Sequence, residues 1–446
     1  MAIHNYKLGV LGSETEHRKY KAYTLQNFRE LPQMELLSEE AKFAMEVVGN
    51  VFPFKTNSYV VDELIDWDNV PADPIFTLTF PQREMLKPAH FDTMAAAIVS
   101  GASTDEIRKR ADSIRAELNP HPAGQMECNV PELNGERLNG LQHKYGETVL
   151  FFPVRGQTCH AYCSFCFRWP QFVGVDELRF AMRETEQLAE YIRLHPEVTD
   201  VLITGGDPMV MKAKRLAGYV DALLNSDLKN LSTIRIGTKA LSFWPYRFTT
   251  DNDSKELLSL FKKIVDSGKH LAIMAHFSHP RELQTEAAKE AIAKILETGA
   301  QIRTQSPLLS HINDSSEVWA QMWQEQVSLG CIPYYMFVAR NTGAHHYFGV
   351  PLVKAHAIYK EAISSVSGVA RTARGPVMSS NPGKIQVLGT NNEGPEKLLA
   401  LQFLQARNPN WINNPFFAAY DDKALWIDEL KPAFGADEFF FQKEQD

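Results

Sequence analysis

Three cysteines within eight residues constrain this chain more than any other feature of its sequence. They follow an apolar, strand-like run, Val149 to Val154, at the spacing C-x3-C-x2-C: the three are Cys159, Cys163 and Cys166. The other two of the five cysteines, Cys128 and Cys331, are isolated in the sequence. Thiolates held this close together converge on one soft metal centre, which is either a zinc ion or an iron–sulfur cluster.

The number of ligands separates these two possibilities. A structural zinc ion needs a fourth ligand nearby, but His160 directly follows Cys159, so we expect its ring to point away from the same ion. A [4Fe–4S] cluster held by three thiolates keeps one iron open, which is what a radical enzyme needs to bind and reductively cleave S-adenosylmethionine (SAM). A zinc-stapled binding module stays open as the non-enzymatic alternative.

Net charge, apolar runs and cysteine usage limit which binding partners and which cellular compartment we expect. The net charge of −8 argues against nucleic-acid and anionic-membrane partners. No 18-residue apolar run and no N-terminal apolar segment occur, so we expect neither a membrane span nor a signal peptide. Clustered free thiols fit a reducing compartment. The sequence therefore predicts a cytoplasmic protein, and it leaves a homo-oligomer open.

The chain divides into three regions by pattern. Residues 1–140 predict an irregular, mostly helical N-terminal region, in which Ser38 is expected to cap a helix and Thr104–Leu118 forms another. Residues 141–390 alternate regularly between strands and helices, and residues 391–446 form a C-terminal extension rich in aromatic residues. These aromatics suggest either a partner interface or packing across an open edge of the barrel, and we slightly favour packing.

The alternating region predicts an α/β fold, a partial (β/α)6 TIM-like barrel. Six short apolar segments are the expected parallel strands: Val149–Val154, Val201–Thr204, Thr233–Gly237, Leu271–Phe277, Ile302–Gln305 and Pro333–Val338. Amphipathic helices are expected between them: Glu177–Leu194, Lys214–Asn225, Ser254–Ser267, Glu282–Thr298 and Glu317–Ser328. Polar motifs follow the C-terminal ends of these strands, where barrel enzymes have their sites.

Taken in order, these motifs resemble a known family. With Phe165 before its last cysteine, the cysteine motif resembles the radical SAM signature. Five further segments are similar, in the same order, to the lysine 2,3-aminomutase family over about residues 140–390: Asp200–Asp207, Ile234–Thr238, His276–Pro280, Gln305–Leu309 with Asn313-Asp314, and Pro333–Tyr335. The resemblance implies a divergent member of that family.

The resemblance implies a reaction and its cofactors. Members of this family use a [4Fe–4S] cluster and SAM to make a 5′-deoxyadenosyl radical, which takes a β-hydrogen from an amino acid bound to pyridoxal 5′-phosphate (PLP). The amino group then migrates from Cα to Cβ. The expected partners are a small amino-acid substrate and a reducing electron donor of the flavodoxin or ferredoxin type. A radical SAM enzyme of the same fold that works without PLP is the alternative.

The resemblance also implies residues for each cofactor. Gly205, Gly206 and Asp207 stand where the family binds the SAM amino group, although a tight turn with Asp207 as a helix cap is the simpler interpretation. His276, Gln305 and Ser306 are further cofactor-binding candidates. The PLP site is implied at Lys384, the candidate catalytic lysine, and at Lys144 and Tyr145. Lys384 lacks most of the family's glycine-rich segment, and Thr148 replaces a family arginine.

Substrate recognition is where this sequence departs most from the family. Arg168 matches the arginine that pairs with the substrate α-carboxylate. Lysine-specific members hold the distal ammonium with two aspartates, whose positions are taken here by Arg340 and, nearby, Met378. A cation in place of an anion repels a protonated lysine side chain. We therefore expect a substrate other than lysine: an acidic amino acid, or one with a neutral polar end that reaches Asn341. The family's C-terminal metal-binding cysteines are absent, so we expect no zinc there.

Overall fold

The computed structural model describes residues 18–119, 129–173, 181–182, 185–391 and 396–443. Its N-terminal region contains a two-stranded antiparallel sheet, β1 (Ala22–Thr24) and β2 (Lys55–Asn57). Helices surround this sheet over Glu39–Val51, Pro74–Thr79, Pro88–Val99 and Thr104–Leu118. Ser38 caps the first of them by accepting a hydrogen bond of 3.1 Å from the Ala41 amide, as its place in the sequence predicted.

The N-terminal region covers one end of the central barrel. Its aromatic core, which includes Phe54 and Phe76, is continuous with residues that lie just beyond the C-terminal ends of barrel strands: Phe243, Trp244, Leu309 and Ala339. Burial of this much apolar surface fixes the region in place. The mouth of the barrel, where polar motifs were expected, is therefore covered by the described part of the N-terminal region.

The barrel belongs to one eleven-stranded sheet, which follows a small hairpin of β3 (Glu132–Leu133) and β4 (Glu136–Arg137). The strands lie side by side in chain order. They are β5 (Leu141–Tyr145), β6 (Thr148–Phe151), β7 (Asp200–Ile203), β8 (Thr233–Thr238), β9 (His270–His276), β10 (Gln301–Leu308), β11 (Ile332–Val338), β12 (Arg374–Ser379), β13 (Gly383–Asn391), β14 (Leu398–Ala406) and β15 (Pro415–Ala419).

Strands β6 to β12 are all parallel, and helices connect them. This arrangement confirms the predicted partial barrel, because each of the six expected strands is present. The connecting helices include Thr185–Leu194, Ala213–Asn225, Ser254–Asp266, Glu286–Glu297, Ser316–Ser328 and Leu352–Ser364. The expected start of the first of these, at Glu177, lies outside the described residues. Parallel strands bring their C-terminal ends to one edge of the sheet.

The structure differs from the sequence-based expectations in two places. A helix expected over Glu282–Thr298 is divided, because Thr285 caps a new helix by accepting a hydrogen bond from the Ala288 amide at 3.1 Å. A seventh parallel strand, β12, was not foreseen. It contains Pro376, and its register with β11 is irregular around that residue, so the missing N–H of proline coincides with a break in pairing.

The C-terminal extension continues the same sheet. Strands β13, β14 and β15 pair antiparallel to one another, and β13 pairs antiparallel to β12. The aromatic residues of the tail, including Phe439 and Phe441, pack on Phe403, Trp411 and Phe416 in one apolar cluster. These aromatics serve packing at the sheet edge. Within the described ranges, no helix has the length and apolar character needed to cross a membrane.

Candidate active site at the barrel mouth

The cysteine loop, residues 159–166, follows β6 and is fixed by hydrogen bonds to the N-terminal region. The amide groups of Tyr162 and Ser164 donate to the carbonyls of Lys55 and Leu78, at 2.7 Å and 2.9 Å. The carbonyl of His160 accepts hydrogen bonds from Tyr20 Oη at 2.7 Å and from Asn57 Nδ2 at 3.2 Å. This loop therefore takes its shape from contacts with residues that lie 86 to 140 positions earlier in the chain.

The three thiols of the loop are desolvated and lie close enough to affect one another electrostatically. Burial raises the pKa of Cys159 well above its usual value, and the nearby Asp207, Cys166 and Cys163 raise it further. Burial likewise raises the pKa of Cys163 and of Cys166. Positive charge is needed here before the thiols can become thiolates. Among the described residues, no group of three or more His, Cys, Asp or Glu side chains is already gathered to hold a metal ion.

One cation lies near each thiol and opposes this effect of burial. Lys55 favours the thiolate of Cys159, Lys239 that of Cys163, and Arg168 that of Cys166. Lys239 follows β8 and Arg168 follows the cysteine loop, whereas Lys55 belongs to β2 in the N-terminal region. The donor set and its surrounding charge fit a centre that binds anionic sulfur, such as an iron–sulfur cluster.

The Gly205–Asp207 turn packs directly on the cysteine loop. A Cβ on Gly206 would lie 2.5 Å from the Thr158 carbonyl oxygen, so glycine is needed for this close approach. A Cβ on Gly205 would lie 2.7 Å from Gln157 Nε2. The glycines thus let two pieces of backbone meet at the mouth.

Asp207 is buried and its carboxylate is used by the protein. Its Oδ1 accepts from the Met209 amide at 2.9 Å and from Thr238 Oγ1 at 2.7 Å, and its Oδ2 accepts from the Lys239 amide at 2.9 Å. Burial raises the pKa of Asp207 to about 6, against the effect of these donors. The geometry is that of the helix-cap alternative for the short helix Pro208–Val210. Contact with a SAM ammonium stays a prediction.

His276 and Gln305 are neighbours across β9 and β10, at the rim of the mouth. The His276 ring stacks on Phe165 of the cysteine loop with centroids 6.2 Å apart, and burial lowers its pKa to about 3. Within the described residues, its Nδ1 is buried without a hydrogen-bond partner, as are Gln157 Oε1, just before the cysteine loop, and His160 Nδ1, within it. Unsatisfied buried polar atoms are rare in proteins, so this rim fits a polar ligand.

Ser306 differs from these rim residues. It is buried, and its Oγ donates to Ser278 Oγ at 3.2 Å and to the Pro307 carbonyl at 3.3 Å. Its hydroxyl thus joins β10 to the loop that follows β9. A direct role for Ser306 in SAM binding stays a prediction.

Four partly buried cations form a second group, the cationic cluster: Lys144, Arg168, Arg340 and Lys384. Their hydrogen-bond partners are neutral oxygens: Ser380 O for Lys144, Gly205 O for Arg168, Ser379 O for Arg340 and Gln405 Oε1 for Lys384. No ion pair joins any of the four to a carboxylate in the part of the chain that the structure describes. The sequence-predicted PLP and substrate residues are thus brought together.

Burial and mutual repulsion lower the pKa values of the side chains in the cationic cluster. Burial, with Arg340, Arg407 and Lys384 nearby, lowers the pKa of Lys144 to about 6. Burial and the neighbouring Tyr145 act in opposite directions on Arg340, whose pKa falls to about 10. Arg340 and Arg168 flank the ring of Phe167, at 5.0 Å and 5.4 Å from its centroid. Desolvated cations without acidic partners make a strong anion-binding site.

Lys384 lies inside the barrel. Its Nζ is 5.2 Å from the ring centroids of both Tyr145 on β5 and Tyr335 on β11, and it lies near Arg235 on β8. Strands so far apart in the sheet can approach one group only from within. Burial, followed by Arg235 and Arg374, lowers the pKa of Lys384 to about 7. Lys384 is therefore not a solvated surface side chain.

Several residues of the site were missed or misjudged by sequence reasoning. Lys239 forms a buried ion pair with Glu282 at 2.7 Å, which no pattern in the sequence indicated. Asn341 Nδ2 donates a hydrogen bond of 3.3 Å to Asp428 Oδ2. Met378 is fully buried in the C-terminal apolar cluster. Lys55, Asn57 and Gln405 carry no motif, and no signal in the sequence could have found them.

Comparison with known proteins identifies relatives of this chain. A protein of Aquifex aeolicus (strain VF5) named "Putative L-lysine 2,3-aminomutase" is 32% identical over 400 residues, covering 90% of this chain and 93% of the relative. The L-lysine 2,3-aminomutase of Bacillus subtilis (strain 168) is 24% identical over 429 residues, covering 95% of this chain and 80% of the relative. The L-lysine 2,3-aminomutase of Acetoanaerobium sticklandii is 28% identical over 264 residues, which are 59% of this chain and only 60% of that protein.

Comparisons with family models and with solved structures give no match or only loose ones. No family model matches the chain. A solved radical SAM methyltransferase from Sphaerobacter thermophilus superposes with a TM-score of 0.38 and 16% identity, over 66% of this chain and 94% of that one. Superposition this loose does not assign a function.

Proposed function

Because this chain belongs to the L-lysine 2,3-aminomutase family, we propose that it is a radical SAM enzyme that moves the α-amino group of an acidic amino acid to the β-carbon, with PLP as its second cofactor. Cys159, Cys163 and Cys166 hold the [4Fe–4S] cluster in this proposal. The rim around His276 and the Gly205–Gly206 turn receive SAM. Lys384 holds PLP.

The observation that carries the proposal is the cationic cluster. Charging these four buried groups together is costly to the protein unless anions occupy the space between them. A PLP phosphate and the two carboxylates of an acidic substrate supply such anions. A lysine substrate would add a fifth cation to the same space. The chemistry of this group therefore favours an acidic substrate over lysine.

Each residue of the cluster has a task in this proposal. When bound, PLP would supply an electrophilic aldehyde and a conjugated ring for chemistry at the substrate nitrogen. Lys384, with its lowered pKa, offers a neutral amine to hold it. Lys144 binds the phosphate and Tyr145 lies along the ring. Arg168 pairs with the α-carboxylate, since a guanidinium suits this bidentate contact, and Arg340 pairs with the distal carboxylate.

The mouth of the barrel protects the reaction. Arg168 lies near both Cys166 and Arg340, so it connects the cysteine loop with the cationic cluster. A substrate carboxylate on Arg168 would thus be held next to the radical source. The roof formed by the N-terminal region excludes water from this space, which protects a reactive radical from side reactions.

Anaerobic turnover tests the proposal directly. The protein is reconstituted with iron, sulfide and PLP, and then incubated with SAM, dithionite and a panel of lysine, glutamate, aspartate and glutamine. Mass spectrometry is expected to find 5′-deoxyadenosine and a β-amino acid from glutamate or aspartate. Wild-type protein that takes up no iron and sulfide, or that carries zinc instead, would overturn the proposal.

A pair of lysine variants tests the PLP assignment. Lys384→Ala is expected to lose the visible absorbance of bound PLP, whereas Lys360→Ala, on an exposed helix position, keeps it. Production of 5′-deoxyadenosine without any PLP absorbance in the wild-type protein would favour the radical SAM enzyme that works without PLP.

A further inference from the structure

Lys55 is placed against the cysteine loop at two points. Its Nζ donates a hydrogen bond of 2.9 Å to Thr158 Oγ1 and lies 4.8 Å from the ring centroid of Tyr162. Its carbonyl accepts from the Tyr162 amide at 2.7 Å. Thr158 and Tyr162 immediately precede Cys159 and Cys163, and the ammonium group is close enough to Cys159 to favour its thiolate. The hydroxyl groups of Thr158 and Tyr162 are themselves 3.0 Å apart.

Lys55 differs from the other two cations that lie near the thiols. Lys239 is neutralised by Glu282 at 2.7 Å. Arg168 donates to Gly205 O and stands ready for a substrate carboxylate. Within the described residues, Lys55 forms no ion pair with a carboxylate, and its hydrogen-bond partner is a neutral hydroxyl. Burial lowers the pKa of Lys55, and the nearby Cys159 raises it. No substrate carboxylate is needed to place its ammonium group beside the cysteine loop.

We propose that Lys55 tunes the reduction potential of the iron–sulfur cluster held by Cys159, Cys163 and Cys166. Reduction adds one electron from a low-potential donor to the oxidised cluster, [4Fe–4S]2+, and gives [4Fe–4S]+. The reduced centre has one more negative charge, so a fixed cation beside it stabilises the reduced form more than the oxidised form. Charge near a cluster is one of the factors that set its potential. Lys55 acts through the cluster and does not contact substrate.

The test is a redox titration of the reconstituted protein without substrate, followed by electron paramagnetic resonance. Lys55→Met removes the charge but keeps the length of the side chain, and Lys55→Arg keeps the charge. We expect Lys55→Met to lower the ratio of reduced to oxidised cluster about tenfold at a fixed potential, which equals about 59 mV for one electron. Lys55→Arg is expected to stay close to wild type. An unchanged potential in Lys55→Met, with wild-type iron and sulfide content, would overturn the inference.

A second variant keeps the question decidable if Lys55→Met binds less iron. Thr158→Val removes the hydroxyl that holds Nζ but leaves the charge and the shape of the loop. A smaller shift in the same direction supports the inference, and no shift rules it out. The inference rests on the cluster proposed above, and the two can fail separately. Wild-type protein that binds no cluster contradicts the proposed function, whereas a cluster with an unaltered potential contradicts only the role of Lys55.

Discussion

The Lys384 amine is prepared for reaction by its surroundings. An ordinary lysine is protonated at neutral pH and cannot attack a carbonyl. Burial, with Arg235 and Arg374 nearby, lowers the pKa of Lys384 to about 7, so a large fraction of the amine is neutral. Gln405 accepts a hydrogen bond from Nζ and fixes its position between two tyrosine rings.

The pH dependence of PLP uptake follows from this pKa. Only the neutral amine reacts, so the rate of uptake by the apoprotein is expected to rise with pH through about 7 and then to level off. The rate is measured from the visible absorbance after mixing with PLP, with Lys384→Ala as the blank. A midpoint near the pKa of free lysine, about 10.4, would show that Lys384 is not the reacting group.

Arg340 tests the choice of substrate. Arg340→Asp places a negative charge where we expect the distal carboxylate, and like charges placed together cost several kcal/mol. We expect kcat/KM for an acidic substrate to fall by about 100-fold relative to that for glutamine. Arg193→Asp, at an exposed position on an outer helix, is the control. If the preference does not change, Arg340 does not line the substrate pocket.

Residue identity was easier to predict than residue proximity. The spacing of the cysteines and the lysine at 384 could be named from the sequence, because each carries a local pattern. That Lys144, Arg340 and Lys384 meet could not be read from any local pattern, since β5, β11 and β13 approach one another only when the sheet curves. Lys55 lies about one hundred residues from its partner Thr158, and only the fold brings them together.

At the scale of secondary-structure elements, the cysteine loop depends on β2. Asn57, the last residue of β2, is fully buried and makes four hydrogen bonds. Its Nδ2 donates to the carbonyls of His160 and Phe243, and its Oδ1 accepts from the amides of Tyr59 and Val60. One side chain thus joins β2 to the cysteine loop and to the segment after β8.

Replacing Asn57 is expected to loosen this connection. Asn57→Ala leaves buried carbonyl and amide groups without partners, which lowers the free energy of unfolding by on the order of 3 kcal/mol. The cysteine loop loses support, so we also expect the protein to retain less iron after reconstitution. Chemical denaturation and iron analysis measure the two effects. Asn69→Ala, at an exposed position, is the matched control, and equal iron retention in both variants would contradict the expected role of β2.

The elements themselves were predicted best where their pattern is simple. Six parallel strands were recognisable because short apolar runs alternate with amphipathic helices. Strand β12 was missed because Pro376 and Gly375 discourage a strand locally, while burial between β11 and β13 overrides that preference. The divided helix at Thr285 was missed because its helical pattern continues across a residue that caps a new helix.

At the scale of the whole molecule, the charge distribution is unusual. The chain has a net charge of −8, yet its barrel encloses cations with neutral partners. Burial lowers the pKa of Lys144 to about 6, from 10.5 in the unfolded chain. Below pH 6 the folded protein must hold this lysine charged, so the full destabilisation applies there. Between the two pKa values the unfolded state binds more protons, so stability rises with pH, and the destabilisation is absent above about 10.5.

Anions are therefore expected to stabilise the apoprotein, and most strongly at low pH. Sulfate mimics a phosphate but keeps its charge between pH 6.5 and 9, so a change in its effect reports on the protein. A ligand at 100 times its dissociation constant adds about 2.7 kcal/mol to the free energy of unfolding. Sulfate also stabilises proteins by exclusion from their surfaces, and Lys144→Met controls for this because the exclusion is common to both proteins.

We expect Lys144→Met to be more stable than wild type without sulfate, since it buries no charge, and to gain less from sulfate. Thermal melts at both pH values, with sodium chloride at equal ionic strength as the reference, measure the difference. An equal gain in both proteins would show that the interior cations do not form an anion site.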